Sequence, residues 1–291
     1  MVLKILKWGG IPLFSLLVLV AGFYAKVYIS TESRLSKKYD FTLPEFTLSA
    51  DSAMLAEGQR LITAKGCTDC HGGDLSGRVF IDDPALGSVT APNLTKGLGG
   101  LPQDFSALDW LRALKHGLNR DSTTLRVMPS YEYTHLTEKD MKAIISYGMS
   151  LPPIDHSLPP THIKPIGRIL IDLDKLPAIT AERIDHKASL IKELVPEVSA
   201  EYGKYLAVSC TGCHKENLKG GDPVLPGSPQ VADITSTGRI KNWNEEQFIA
   251  ALRTGKTPEG KDLPPQFMPW PMTKSYTDTE LKALYTYLRS I

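Results

Sequence analysis

CTDCH, residues 67–71, and CTGCH, residues 210–214, contain every cysteine of the 291-residue chain. Each is a C-x-x-C pair followed at once by histidine. Three chemistries use such pairs. A structural zinc site could pool the four thiolates, but it would leave both histidines without a role. A redox-active C-x-x-C needs a βαβ context, and none flanks these pairs. In the third, C-x-x-C-H attaches a c-type haem: two thiols bond to one edge of the porphyrin and the next residue, His, reaches the iron. Two copies in a chain with no spare cysteine favour this third reading.

A six-coordinate haem iron that only transfers electrons needs a second axial ligand, commonly Met. RVMPS (126–130) and QFMPW (266–270) supply Met-Pro at equivalent distances from the two motifs. The same offset brings Thr137 onto Thr277 and Ala143 onto Ala283. APNLTKGLGG (91–100) matches VADITSTGRI (231–240), and FSALDWLRALKHG (105–117) matches WNEEQFIAALRTG (243–255). GQRLITAKG from Gly58 and GKYLAVS from Gly203 precede the two haem motifs. The chain is therefore an internal duplication. Met128 and Met268 fall at the same repeat position and are the candidate distal ligands. Met272, four residues on, is the rival of Met268. His116, His135, His156, His162 and His186 remain as other possible ligands, with surface or supporting roles favoured for each.

These residues together resemble a tandem class I cytochrome c. The first copy reads GQRL, CTDCHGGDLSG, PNLT, ALKHG, MPSY and LTEKDMKAI in order. The second reads GKYL, CTGCH, DIT, ALRTG, FMPW and YTDTELKAL. The resemblance implies an all-α fold with two covalently bound haem c groups. Cys67, Cys70 and Cys210, Cys213 would be the attachment points. His71 with Met128, and His214 with Met268, would be the iron ligands. The Pro-rich stretch LPPIDHSLPPTHIKPIGR (151–168) is similar to the connector of di-haem subunits that accompany membrane-bound dehydrogenases.

The N-terminus has a different composition. Lys4 and Lys7 precede a run from Trp8 to Ala25 without a charged residue, long enough to span a bilayer with help from its flanks. A cleaved signal peptide is the alternative, but Phe23, Tyr24 and Tyr28 spoil most cleavage registers. The expected organisation is a membrane anchor at 1–30, a tether at 31–50, a first cytochrome domain at 51–155, a linker at 156–198 and a second domain at 199–291. The N-terminal lysines predict a single pass in the bacterial inner membrane, with the N-terminus cytoplasmic and the haem domains periplasmic. The net charge of +1 lacks the basic excess of a nucleic-acid binder.

Helices are expected before each haem motif, before Gly117 and Gly255, and after Thr137 and Thr277. Each of these threonines has an acidic residue three positions on, as an N-cap would. The terminal helices should pack on the first helix of their own copy. No strong strand signal appears. Phe105, Trp110 and Trp243 read as core. Trp243, Arg78, Arg126, Arg239 and Arg253 are secondary candidates for haem propionates. The leading functional expectation is a membrane-anchored electron carrier, not an enzyme, passing single electrons between a dehydrogenase, quinol-oxidising complex or terminal oxidase. A di-haem peroxidase, and a dedicated relay subunit of one dehydrogenase complex, are the alternatives.

Overall fold

The computed structural model describes residues 2–43, 46–49, 51–224 and 228–291, with backbone alone for 2–10. Ten α-helices are described. In chain order they are α1 (Val2–Ser36), α2 (Ser52–Ala64), α3 (Cys67–His71), α4 (Ala107–His116), α5 (Ser130–Tyr133), α6 (Glu138–Ser150), α7 (Pro165–Asp172), α8 (Ala200–His214), α9 (Glu245–Thr254) and α10 (Asp278–Ser290).

Local chemistry explains the helix limits. The Thr137 hydroxyl accepts from Asp140 N–H to start α6, and Thr277 with Glu280 forms a full capping box on α10, as the sequence predicts. Ser106 and Asn244 cap α4 and α9 in the same way. Both of those helices end on glycine at positive φ, Gly117 at 62° and Gly255 at 70°, where a Cβ would be strained.

In each copy the terminal helix lies across the first: α6 on α2, and α10 on α8. Gly58 and Gly203 mark the two crossings. A Cβ on either would collide with the carbonyl of Ala143 or Ala283. Only glycine lets the helix backbones approach this closely. Met141, Ile144 and Ile145 on α6, and Leu281, Leu284 and Leu288 on α10, are fully buried, which matches their helical spacing.

The all-α expectation needs a correction. The first copy and the linker build a small antiparallel sheet, β1 (Arg78–Asp83), β2 (Gly87–Ala91) and β3 (His162–Ile163), in that order. The Asp83 carboxylate accepts from the N–H groups of Ala85 and Leu86, both at 2.8 Å, and so closes the β1–β2 turn. The architecture is helical with this one hairpin added.

The two copies pack against each other in one continuous hydrophobic core. Their joint is nearly two-fold symmetric. Arg60, two residues after Gly58, reaches Glu280 at 2.8 Å and the Ser275 carbonyl at 2.9 Å. Tyr205, two residues after Gly203, bonds Asp140 and receives Thr137 N–H. Equivalent helices thus grip equivalent helix starts, once by a guanidinium and once by a phenol.

Residues 26–36, partly assigned to a tether by sequence, are a rigid continuation of α1. Val27, Thr31 and Leu35 are buried at helical spacing. Lys26 pairs with Asp172 at 2.6 Å, Arg34 with Glu182 at 2.6 Å and Arg168 with Glu32 at 2.8 Å, which fixes α1 on α7. One helix span, Ile11–Ser36, is apolar and long enough to cross a membrane among the described residues, with 6% of its most apolar window buried.

Candidate functional site

Cys67, Cys70 and His71 form α3, a single helical turn entered from Gly66 in the left-handed region. Cys210, Cys213 and His214 form the last turn of α8. On a helix, positions i, i+3 and i+4 share one face, so each motif presents two sulfurs and an imidazole together. No disulfide joins the four cysteines. Burial pushes Cys67 and Cys210 up to about 12 and Cys70 up to about 11. A redox-active C-x-x-C needs a thiolate at ordinary pH, and this burial disfavours one. Among the described residues, no group of three or more His, Cys, Asp or Glu is placed to hold a metal ion, which removes the pooled zinc site.

The turn after each motif is the same in both copies. Leu75 and Leu218 both have positive φ, at 62° and 59°. Gly77 N–H returns to the His71 carbonyl at 2.7 Å and Gly220 N–H to that of His214 at 2.9 Å. The loop then brings a backbone carbonyl to each imidazole. His71 Nδ1 lies 2.8 Å from Pro92 O, and His214 Nδ1 lies 2.7 Å from Ala232 O. A carbonyl only accepts, so Nδ1 carries the proton and the Nε2 lone pair is left for a metal. Burial also lowers both histidines' affinity for a second proton. Both sites therefore fit an iron porphyrin tied through two thioethers.

Met128 and Met268 lie in matching loops, part-buried against the core. Pro129 and Pro269 then start a helical turn in each copy. Met272 points elsewhere. Its sulfur is 3.7 Å from where a Cβ on Gly66 would stand, so it packs at the joint beside the first copy's motif. The Met128 loop has a support that sequence did not reveal. Thr180 Oγ1 donates to Met128 O at 2.7 Å and Val127 N–H donates to Ala178 O at 3.2 Å. The linker is thus a brace on the first copy as well as a spacer. Thr180→Val should cost about 1 kcal/mol and loosen Met128 alone. The check is the weak far-red absorption of Met-ligated ferric haem, which should fall by up to half.

Three of the five secondary candidates find protein partners. Trp243 Nε1 donates to Glu259 at 3.0 Å, Arg253 pairs with Asp278 at 2.9 Å, and Arg78 donates to the Asp69 carbonyl. His156 Nδ1 lies 3.0 Å from Ser76 O, and His135 is exposed. His116 is a correction to the surface role: it is 3% exposed. Its Nδ1 lies 3.1 Å from that of His186, on which its ring stacks, and Phe41 lies tilted against it. Burial pushes it down to about 3, so the pair is neutral at ordinary pH.

A cytochrome c family model matches residues 55–152 and again 200–291. The chain belongs to the cytochrome c family. Two such matches on two C-x-x-C-H motifs mean that this cytochrome carries two covalently bound haem c groups. It is 26% identical over 267 residues to the fructose dehydrogenase cytochrome subunit of Gluconobacter japonicus, covering 84% of this chain and 54% of that one. It is 24% identical over 289 residues to the alcohol dehydrogenase (quinone) cytochrome c subunit of Komagataeibacter europaeus, covering 84% and 57%. Over 109 residues it is 30% identical to the gluconate 2-dehydrogenase cytochrome c subunit of Pantoea cypripedii, covering 34% and 24%. The chain thus spans about half the length of the first two relatives.

Proposed function

We propose that this cytochrome is a membrane-anchored di-haem electron relay serving a dehydrogenase catalytic subunit. Haem iron, when bound, supplies one-electron chemistry. The chain supplies attachment, axial ligands and the distance between the two sites. In this reading His71 and Met128 ligate the first iron, and His214 and Met268 the second. His/Met pairs favour a higher potential than His/His. The cytochrome domains are 51–155 and 199–291, held together by the joint and braced by the linker.

The observation that carries the reading is the closeness of the two motifs. Lys65, two residues before Cys67, extends to Ser209, the residue before Cys210, with Nζ 3.4 Å from Oγ. The two attachment points share one joint, so an electron can cross within the chain. The three relatives, all cytochrome subunits of dehydrogenases, support a dehydrogenase as donor. A quinone pool or terminal oxidase would accept. The chain itself is proposed to have no substrate of its own.

The apolar α1 supports a single pass, with Lys4 and Lys7 cytoplasmic and both haem domains periplasmic. Gentle detergent extraction of native membranes tests both parts. The protein should stay with the membrane through carbonate washing and co-purify with a dehydrogenase whose substrate reduces both haems. A soluble protein whose N-terminus begins near Ser30 would sink the anchor. Peroxide-dependent oxidation of a reduced donor, with no dehydrogenase attached, would replace the relay by the peroxidase.

A further inference from the structure

Glu132 and Lys65, both of the first copy, lie side by side at the joint, against the second haem motif. Lys65 is 8% exposed, and its ammonium has Ser209 Oγ at 3.4 Å and the Tyr205 ring at 5.1 Å. The half-buried Glu132 side chain lies against the second motif: Oε1 is 2.5 Å from where a Cβ on Gly212 would stand. Its carboxylate has no hydrogen bond or ion pair among the described residues. Buried charged groups are ordinarily paired, and these two are near neighbours without being partners. They line one narrow cleft with Tyr133, Tyr205 and Ser209.

The repeat shows that the fold does not need these charges. The position of Glu132 is held by Met272 in the second copy, and Lys65 lies in the stretch from Gly58 to Cys67, which is two residues longer than its counterpart from Gly203 to Cys210. The joint is nearly symmetric in shape, but its charge lies on one side.

We propose that Glu132 is a proton-binding site coupled to the electron load of the two haem sites. When the chain takes up an electron from its donor, the Glu132 carboxylate binds one proton from solvent. When the electron leaves to the acceptor, the proton returns to solvent. The electron raises the negative potential at a carboxylate lying against the second motif. A unit charge about 10 Å away at an effective dielectric near 20 changes proton affinity on the order of tenfold.

The other groups around Glu132 do not substitute for it. Lys65 at the end of α2, whose own proton affinity burial lowers, and Arg183 from the linker favour the carboxylate. Tyr131, Tyr133, Tyr205 and Tyr276 are phenols raised further from neutrality. Cys210 and Cys213 do not titrate as thioethers. His135 is exposed on the same short segment and is the control. Burial pushes Glu132 up to about 7, which puts this carboxyl's charge change in the physiological range.

The inference rests on haem attachment at both motifs, which a haem count tests separately. The experiment is spectroelectrochemical titration of both haems in the detergent-solubilised full chain, from acid to alkaline pH. Below the window Glu132 is protonated in both redox states, so the potential is flat. From about pH 7 upward at least one potential should fall, because only the reduced protein keeps the proton. Glu132→Gln should abolish the fall and hold the potential near the acid plateau. Lys65→Met, which removes a cation, should move the window to higher pH. His135→Gln should leave it in place. A fall that persists in Glu132→Gln assigns the proton to propionates or histidine and overturns the proposal. A flat unaltered protein also overturns it. Should Glu132→Gln lose haem, infrared difference spectra of the unaltered protein decide. A protonated-carboxyl band gained on reduction and shifted in D2O supports the site, and its absence overturns it.

Discussion

Replacing Cys210 and Cys213 by serine should leave one haem per chain and halve the haem absorbance per mole of polypeptide. The attachment chemistry is local to each motif, because the sulfurs and imidazole of a copy lie on one helical turn. The first copy should therefore keep its haem through acid-acetone extraction. The second should lose both haem and order. Its core is built from short helices, α8, α9 and α10, and haem is the largest apolar body such a small domain can bury. Denatured mass and far-ultraviolet circular dichroism report the two losses separately. The reciprocal Cys67 and Cys70 variant should spare the second haem. Loss of both haems from either variant would mean that attachment is not independent.

Arg60→Ala should destabilise the joint by about 3 kcal/mol. Glu280 is 4% exposed and binds three groups: Arg60, its own helix start through Thr277 N–H at 2.6 Å, and Tyr202 OH at 3.3 Å. Removing the guanidinium leaves a buried carboxylate without its ion-pair partner, which costs more than the pair contributes. Arg60→Met with Glu280→Gln should recover much of the loss, since glutamine keeps the cap and carries no charge. Guanidinium unfolding followed at the haem band measures both. Arg60 also holds the Glu57 carboxyl below its usual range. A depressed carboxyl adds stability at neutral pH and loses it on acidification. The acid-side slope should therefore shrink in Arg60→Ala.

The haem motifs, the duplication and the helix starts at Thr137 and Thr277 were legible in sequence, because each depends on residues close along the chain. The crossings at Gly58 and Gly203 were visible only as shared glycines, and their steric reason needed the partner helix. The β1–β2 hairpin escaped notice for a physical reason. A bulge between Val79 and Ile81 breaks the register, and Val79 and Phe80 are both exposed, so no two-residue alternation forms. The brace of Thr180 on Met128, the clasp of Arg60 on Glu280, and the closeness of Lys65 and Glu132 join residues far apart in sequence. None belongs to a motif. The rigid extension of α1 to Ser36 was hidden by its polar composition, which its ion pairs with α7 and the linker explain.

The central claim is that the two haem sites exchange electrons within one chain. A photoreduction pulse delivering less than one electron per molecule tests it most directly, with the haems distinguished by their visible bands. The relay predicts a fast second phase in which the electron redistributes between the haems at a rate independent of protein concentration. Redistribution at a rate proportional to concentration, or none, would contradict it.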